Sequence, residues 1–194
     1  LEAGKVLGVE FRENMGFPDS HLRVCEEFRV PLARKIREKK PRFLLVPLEE
    51  DPHPDHVQTS LLLHEATWIA GLRNFAGLDG EPFRPKAVLY YRFNPGIRPS
   101  FVVDVTAEFE EKKKAVLCFR SQMYQEGAGQ VITNISNPDF LNRWELLHRH
   151  FGGLVGATHG EPYLLKGSLC LDDPLAVLDG TKRQYRASFG KLGT

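Results

Sequence analysis

Asp51-Pro52-His53-Pro54-Asp55-His56 places two imidazoles and two carboxylates within six residues. Imidazole nitrogen and carboxylate oxygen are both good zinc ligands. The same groups serve as general acids and bases near neutral pH. His53 and His56 are three apart, a spacing that sets both rings on one side of a helix or its lead-in turn. Asp55 lies between them, where it could hold a ring nitrogen and fix a tautomer. Pro52 and Pro54 fix φ and lower the entropy lost in holding these side chains still. The alternative reading is a polar loop that caps the following helix.

The elements that must position this cluster are legible on both sides of it. Phe43 to Val46 is a short apolar run and reads as a buried strand. Upstream, Leu22 to Lys39 reads as an amphipathic helix with Leu32 and Ile36 inward. Pro31 either kinks that helix or marks its first turn, and Pro41 stops it. Downstream, Thr59 to Leu72 reads as a mostly buried helix ending near Gly71. A helix, then a strand, then a site at the strand's carboxyl end is the pattern of open α/β sheets.

The remaining pattern is of the same kind. Val9 to Phe11 could be a short strand, followed by a Gly16/Pro18-Asp19 turn. Asn74 to Pro85 is a Gly/Pro-punctuated loop. Ala87–Tyr91 and Phe101–Val105 read as strands, with a loop at Asn94-Pro95-Gly96 and Pro99 between them. Ala107 to Phe119 reads as a helix whose charge run, Glu108 to Lys114, is a solvated face. Asn142 to Phe151 is a further helix. Leu164-Leu165 and Leu169 to Leu178 read as short strands or loop. Residues 179–194 form a basic tail with four Lys/Arg. Domain organisation is therefore one domain over residues 1–178, then the tail.

Composition bounds the class. The 194 residues are 42% hydrophobic with a net charge of +1, ordinary for one globular domain. A near-neutral chain carries no bulk field toward nucleic acid, and no run approaches the roughly 18 apolar residues of a membrane span. Cys25, Cys118 and Cys170 are odd in number and far apart, so reduced thiols in a cytoplasmic protein are expected. The chain opens at Leu1 in what reads as the last turns of a helix, and the expectation is a truncated N-terminus. Among the other histidines, His64 reads as a core residue of a buried helix. His148 and His150, two apart, read as surface.

The cluster with its neighbours resembles a known family. Asp51-Pro52-His53-Pro54-Asp55-His56 resembles the second signature of the LmbE/PIG-L zinc-dependent N-deacetylases. Asn14-Met15-Gly16-Phe17-Pro18-Asp19, Lys40-Pro41, Ala70-Gly71-Leu72-Arg73 and Arg120-Ser121-Gln122 resemble the flanking segments, in order, over about Leu1 to Leu178. The closest similarity is to bacterial N-acetylglucosaminyl-malate deacetylases of bacillithiol synthesis.

The resemblance implies an α/β, Rossmann-like three-layer sandwich with a mainly parallel sheet. It implies hydrolysis of an N-acetyl group on a small amino-sugar conjugate, with Zn2+ (or Fe2+) as cofactor and a homo-oligomeric enzyme. By the same resemblance His56 is a metal ligand. His53 stabilises the oxyanion and Asp55 orients His53. Arg84 contacts substrate, against a reading as a surface arginine. The family's opening AHPDD-type motif, with two further ligands and the general base, has no counterpart here, so its first strand-helix-strand unit is expected to be missing. Its Tyr-Ala-Glu segment corresponds to His159-Gly160-Glu161, making His159 a pocket contact or, as favoured, a residue of the surface or rim. The alternative to an enzyme is a remnant of the fold that binds a sugar or protein.

Overall fold

The computed structural model describes residues 2–91, 96–125, 131–173, 175 and 177. Its elements run α1 (Glu2–Val6), α2 (Glu26–Lys39), β1 (Phe43–Pro47), α3 (Pro54–Ala70), β2 (Ala87–Tyr91), β3 (Phe101–Asp104), α4 (Phe109–Leu117), a 3-10 turn at Arg120–Gln122, α5 (Phe140–Leu154) and β4 (Gly160–Leu165). Val9 to Phe11 is not a strand. Asn94-Pro95 and the 179–194 tail lie outside the described residues.

The four strands form one open sheet in the order β1-β2-β4-β3. β1 and β2 are parallel, with Phe43 opposite Ala87 and Pro47 opposite Tyr91. β4 is antiparallel to both β2 and β3. Three strands thus point one way, as expected, but the hydrogen-bonded pairs are mixed. The reason is β4, which enters between β2 and β3 from the opposite direction.

Helices cover both faces. α2 and α3 pack on each other through Ala33, Ile36, Ala66, Ile69 and Ala70. Leu63 of α3 reaches Val46, Leu48 and Tyr90, and Leu164 of β4 joins that cluster. Side chains alternate along a strand, so Glu161 and Tyr163 face away from α3, where Glu161 meets Lys112 of α4 and Tyr163 stacks on Phe101 of β3. The result is the three-layer sandwich that the alternation of elements predicts.

α2 runs through Pro31 and ends at Lys40, whose φ of 45° is left-handed and whose N–H returns to the Ile36 carbonyl. Arg37, on α2, is 4% exposed. Its guanidinium donates to the carbonyls of Ala70 at 3.0 Å, Leu78 at 2.8 Å, Asp79 at 3.2 Å and Gly80 at 2.8 Å, and also to that of Leu72. One charged side chain thereby satisfies the backbone of a segment that makes no strand or helix of its own.

α5 approaches β4 backbone to backbone. A Cβ on Gly160 would lie 2.6 Å from the Gly152 nitrogen, so only glycine fits there.

Candidate active site

β1 delivers the cluster to the carboxyl end of the sheet, and Leu48 N–H still pairs with the Tyr91 carbonyl at 2.9 Å. The next residues turn into α3, which begins at Pro54 and not at Thr59. Proline suits the first helical position because its missing N–H is not needed there. His53 is the N-cap, and its Nδ1 accepts the Asp55 N–H at 3.2 Å. The motif is therefore the head of α3 itself.

Asp51 organises both imidazoles. Its side chain is 4% exposed, and Oδ1 accepts the His53 N–H at 2.8 Å while lying 2.9 Å from His56 Nδ1. A carboxylate accepts only, so His56 carries its proton on Nδ1 and its lone pair on Nε2. His53 is the reverse: Nδ1 accepts, so in the neutral ring the proton sits on Nε2. The two rings lie 4.5 Å apart, centroid to centroid. In their neutral forms the two rings thus hold opposite tautomers.

Asp55 is used differently from the role the resemblance implies. It is 8% exposed, and its carboxylate accepts the N–H of Ser20 at 2.6 Å and of Leu22 at 3.3 Å. Ser20 has a φ of 62°, a strained value for a residue with a Cβ. Gln58 adds a bond from Val24 N–H at 3.1 Å. The first turns of α3 thus fasten the 20–24 segment beside the histidines. The acid that orients a histidine is Asp51, acting on His56. Its signal in the sequence is an aspartate two residues before His53, the spacing of an Asx turn.

Glu49 borders the same site. Its carboxylate lies 3.5 Å from Ser60 Oγ, one helical turn beyond His56, and bonds Lys166 of the segment after β4. Burial alone would raise the Glu49 carboxyl, but the Lys166 ammonium, a backbone N–H and the Ser60 hydroxyl together hold the group below the ordinary carboxylate value. Lys166 also sits 4.3 Å above the Tyr90 ring.

The structure does not bring Arg84 to the histidines. Its guanidinium lies 4.7 Å over the ring of Trp68 and across Gly71. From His53 to Trp68 the helix rises about 22 Å. His159 is not at a surface: it is 8% exposed and stacks on Phe109 at 3.7 Å. His148 is also buried, at 6%, whereas His64 is exposed. Position decides these outcomes. His148 shares the inward stripe of α5 with Phe151 and Gly152, while His64 falls on the outer stripe of α3 with Leu61 and Trp68.

Residues 1–67, which include the whole cluster, match the family described as PIG-L: GlcNAc-PI de-N-acetylase. The solved structure of the conserved protein TT1542 from Thermus thermophilus is 35% identical, with a TM-score of 0.77 over 88% of this chain and 72% of that one. The stretch over residues 1–67 is thus similar to that family. A diacetylchitobiose deacetylase of Thermococcus kodakarensis is 32% identical over 133 residues, 64% of this chain. The chain spans about half the length of that relative, 48%. The N,N'-diacetylchitobiose deacetylase of Pyrococcus horikoshii is 25% identical, with a TM-score of 0.68 over 84% of this chain and 60% of that one. The Asp51–His56 segment, which lies within the residues similar to that family, sits at the head of the helix that leaves β1.

Proposed function

We propose that this protein hydrolyses the N-acetyl group of an N-acetylglucosamine-type conjugate, with zinc as its metal. The observation that carries the reading is the opposed tautomers of His53 and His56, imposed by Asp51 and the Asp55 N–H. A metal-dependent amide hydrolase uses both a ligand nitrogen and a hydrogen-bond donor for the oxyanion, and this pair would supply one of each. The deacetylases among the relatives support the same chemistry.

The donor set fits zinc at one position. An imidazole whose other nitrogen is held by a buried carboxylate is the usual form of a histidine ligand. Among the described residues, however, no three of His, Cys, Asp and Glu come together as a metal site. The proposal therefore has His56 ligate through Nε2 and the other ligands come from outside the described residues. Bound there, zinc would supply a Lewis acid and a water acidified toward neutral pH. The protein's own part is to hold His56 in one tautomer through Asp51. His53 offers its Nε2–H to the acetyl oxygen as negative charge gathers there, and Asp55 keeps the 20–22 backbone in place beside it.

N-acetylglucosaminyl-malate is the substrate that the sequence resemblance raises within this class. The proposal extends to a homo-oligomer acting in the cytoplasm; among the described residues no helix is long and apolar enough to cross a membrane. The test is zinc content and acetate release by the protein on N-acetylglucosaminides, with and without His56→Ala. About one zinc per chain and acetate release, both lost in the variant, support it. A protein that binds the sugar, holds no stoichiometric zinc and releases no acetate would instead be a binding remnant of the fold.

A further inference from the structure

On the face of the sheet away from α3, three elements meet through one half-buried ammonium. Lys112 of α4 lies 2.8 Å from His148 Nε2 on α5 and 2.5 Å from Glu161 Oε1 on β4. Tyr163 donates its hydroxyl to the other Glu161 oxygen at 3.0 Å. His148 Nδ1 faces the Trp144 carbonyl at 2.8 Å. The protonation state of His148 follows from its partners. A carbonyl only accepts, so Nδ1 carries a proton. An ammonium only donates, so Nε2 must carry a lone pair. The seam is satisfied only while His148 is neutral.

We propose that the seam of α4, α5 and β4 is a pH-sensitive latch, closed while His148 is neutral and released when its Nε2 takes up a proton. The proton would point at the Lys112 ammonium across 2.8 Å, on a ring that is itself buried, so the repulsion is only partly screened. Lys112 would then have to leave either His148 or Glu161, and both bonds join α4 to its neighbours.

The surrounding groups favour the same direction. Burial first, then the Lys112 ammonium, hold the His148 imidazole below its ordinary value, against the opposing pull of the Trp144 carbonyl and Glu161. Glu161 stays ionised: burial would raise its carboxyl, but Lys112 lowers it further. Burial and Glu161 raise the Tyr163 hydroxyl, which remains a donor. Glu145 of α5 is already engaged by Lys113 at 3.4 Å and Arg149 at 2.8 Å. His159 stacks on Phe109, with Nε2 3.9 Å from Glu145, and it adds weakly to the hold on the His148 imidazole in the same direction as Lys112. Because the folded value of His148 lies below its unfolded one, near 6.5, its contribution is complete above about pH 6.5 and is lost as pH falls through the folded value.

Hydrogen exchange of the full chain tests this, comparing α5 amides with α3 amides at about pH 7.5 and about pH 5, corrected for intrinsic rates. Wild-type α5 should lose about tenfold or more in protection relative to α3. His148→Gln can still accept from Lys112 and does not titrate, so the acid loss should disappear. Lys112→Met removes the repelling charge and leaves a protonated His148 facing Glu161, so it too should show no acid loss, whatever its protection at neutral pH. Parallel changes in α5 and α3 of the wild type, or an undiminished acid loss in either variant, would overturn the latch.

Discussion

Asp51 Oδ1 lies 2.9 Å from His56 Nδ1 and 2.8 Å from the His53 N–H, so one carboxylate oxygen fixes a ring and the backbone that enters α3. Asp51→Asn keeps the size of the side chain but can no longer hold a proton on His56 Nδ1 by charge. If His56 ligates zinc, the variant should bind it about 10- to 100-fold more weakly. Competition with a chromophoric chelator measures this, and an unchanged affinity would remove Asp51 from the metal's support.

Asp55→Ala should act on the fold first. It frees the N–H groups of Ser20 and Leu22, which the buried carboxylate now satisfies. The expected cost is about 1–3 kcal/mol in urea unfolding. Limited proteolysis should show new cuts near Ser20, because the strained φ there has lost its restraint. Intact protection of that segment would assign Asp55 to the chemistry instead.

Gly160→Ala and Gly153→Ala should part company although both glycines lie in the α5–β4 region. The first puts a methyl 2.6 Å from the Gly152 nitrogen and from Val102 Cγ1, and should cost about 3 kcal/mol or fail to fold. The second meets nothing within 4 Å and lies within α5. It should stabilise by about 0.5–1 kcal/mol through the helix. Thermal unfolding of the pair decides it.

Arg37→Met keeps the stem of the side chain and removes the guanidinium from its backbone carbonyls. Leaving buried acceptors without partners should cost about 3 kcal/mol. Urea unfolding is the measurement, and a cost below about 1 kcal/mol would mean water takes the arginine's place.

Much of the scaffold of the site is legible in the chain. The apolar run at Phe43, the stop at Pro41 and the periodic segments bracketing the motif place β1, α2 and α3. The start of α3 lies five residues earlier than its apolar pattern suggests, because Pro54 is a first helical residue as well as a stiffener of the loop. The histidines are harder. His64 and His148 exchange their expected environments, because a residue's stripe on its helix outweighs its type. The charge run of α4 holds one half-buried cation, Lys112, bonded inward to His148 and Glu161, that composition cannot separate from its neighbours. The distance from Arg84 to the motif depends on how the 71–85 segment folds back over α3, which no local pattern encodes.

The fan of carbonyls around Arg37 also bears on the order in which the chain assembles. The guanidinium arrives on α2, and its acceptors lie 33 to 43 residues later. Until α2 and α3 have docked, those carbonyls have no common point to converge on, and closing so long a loop early is entropically unfavourable. Residues 71–80 should therefore settle late in folding, after the helix pair, and their native amides should become protected in the last resolved kinetic phase.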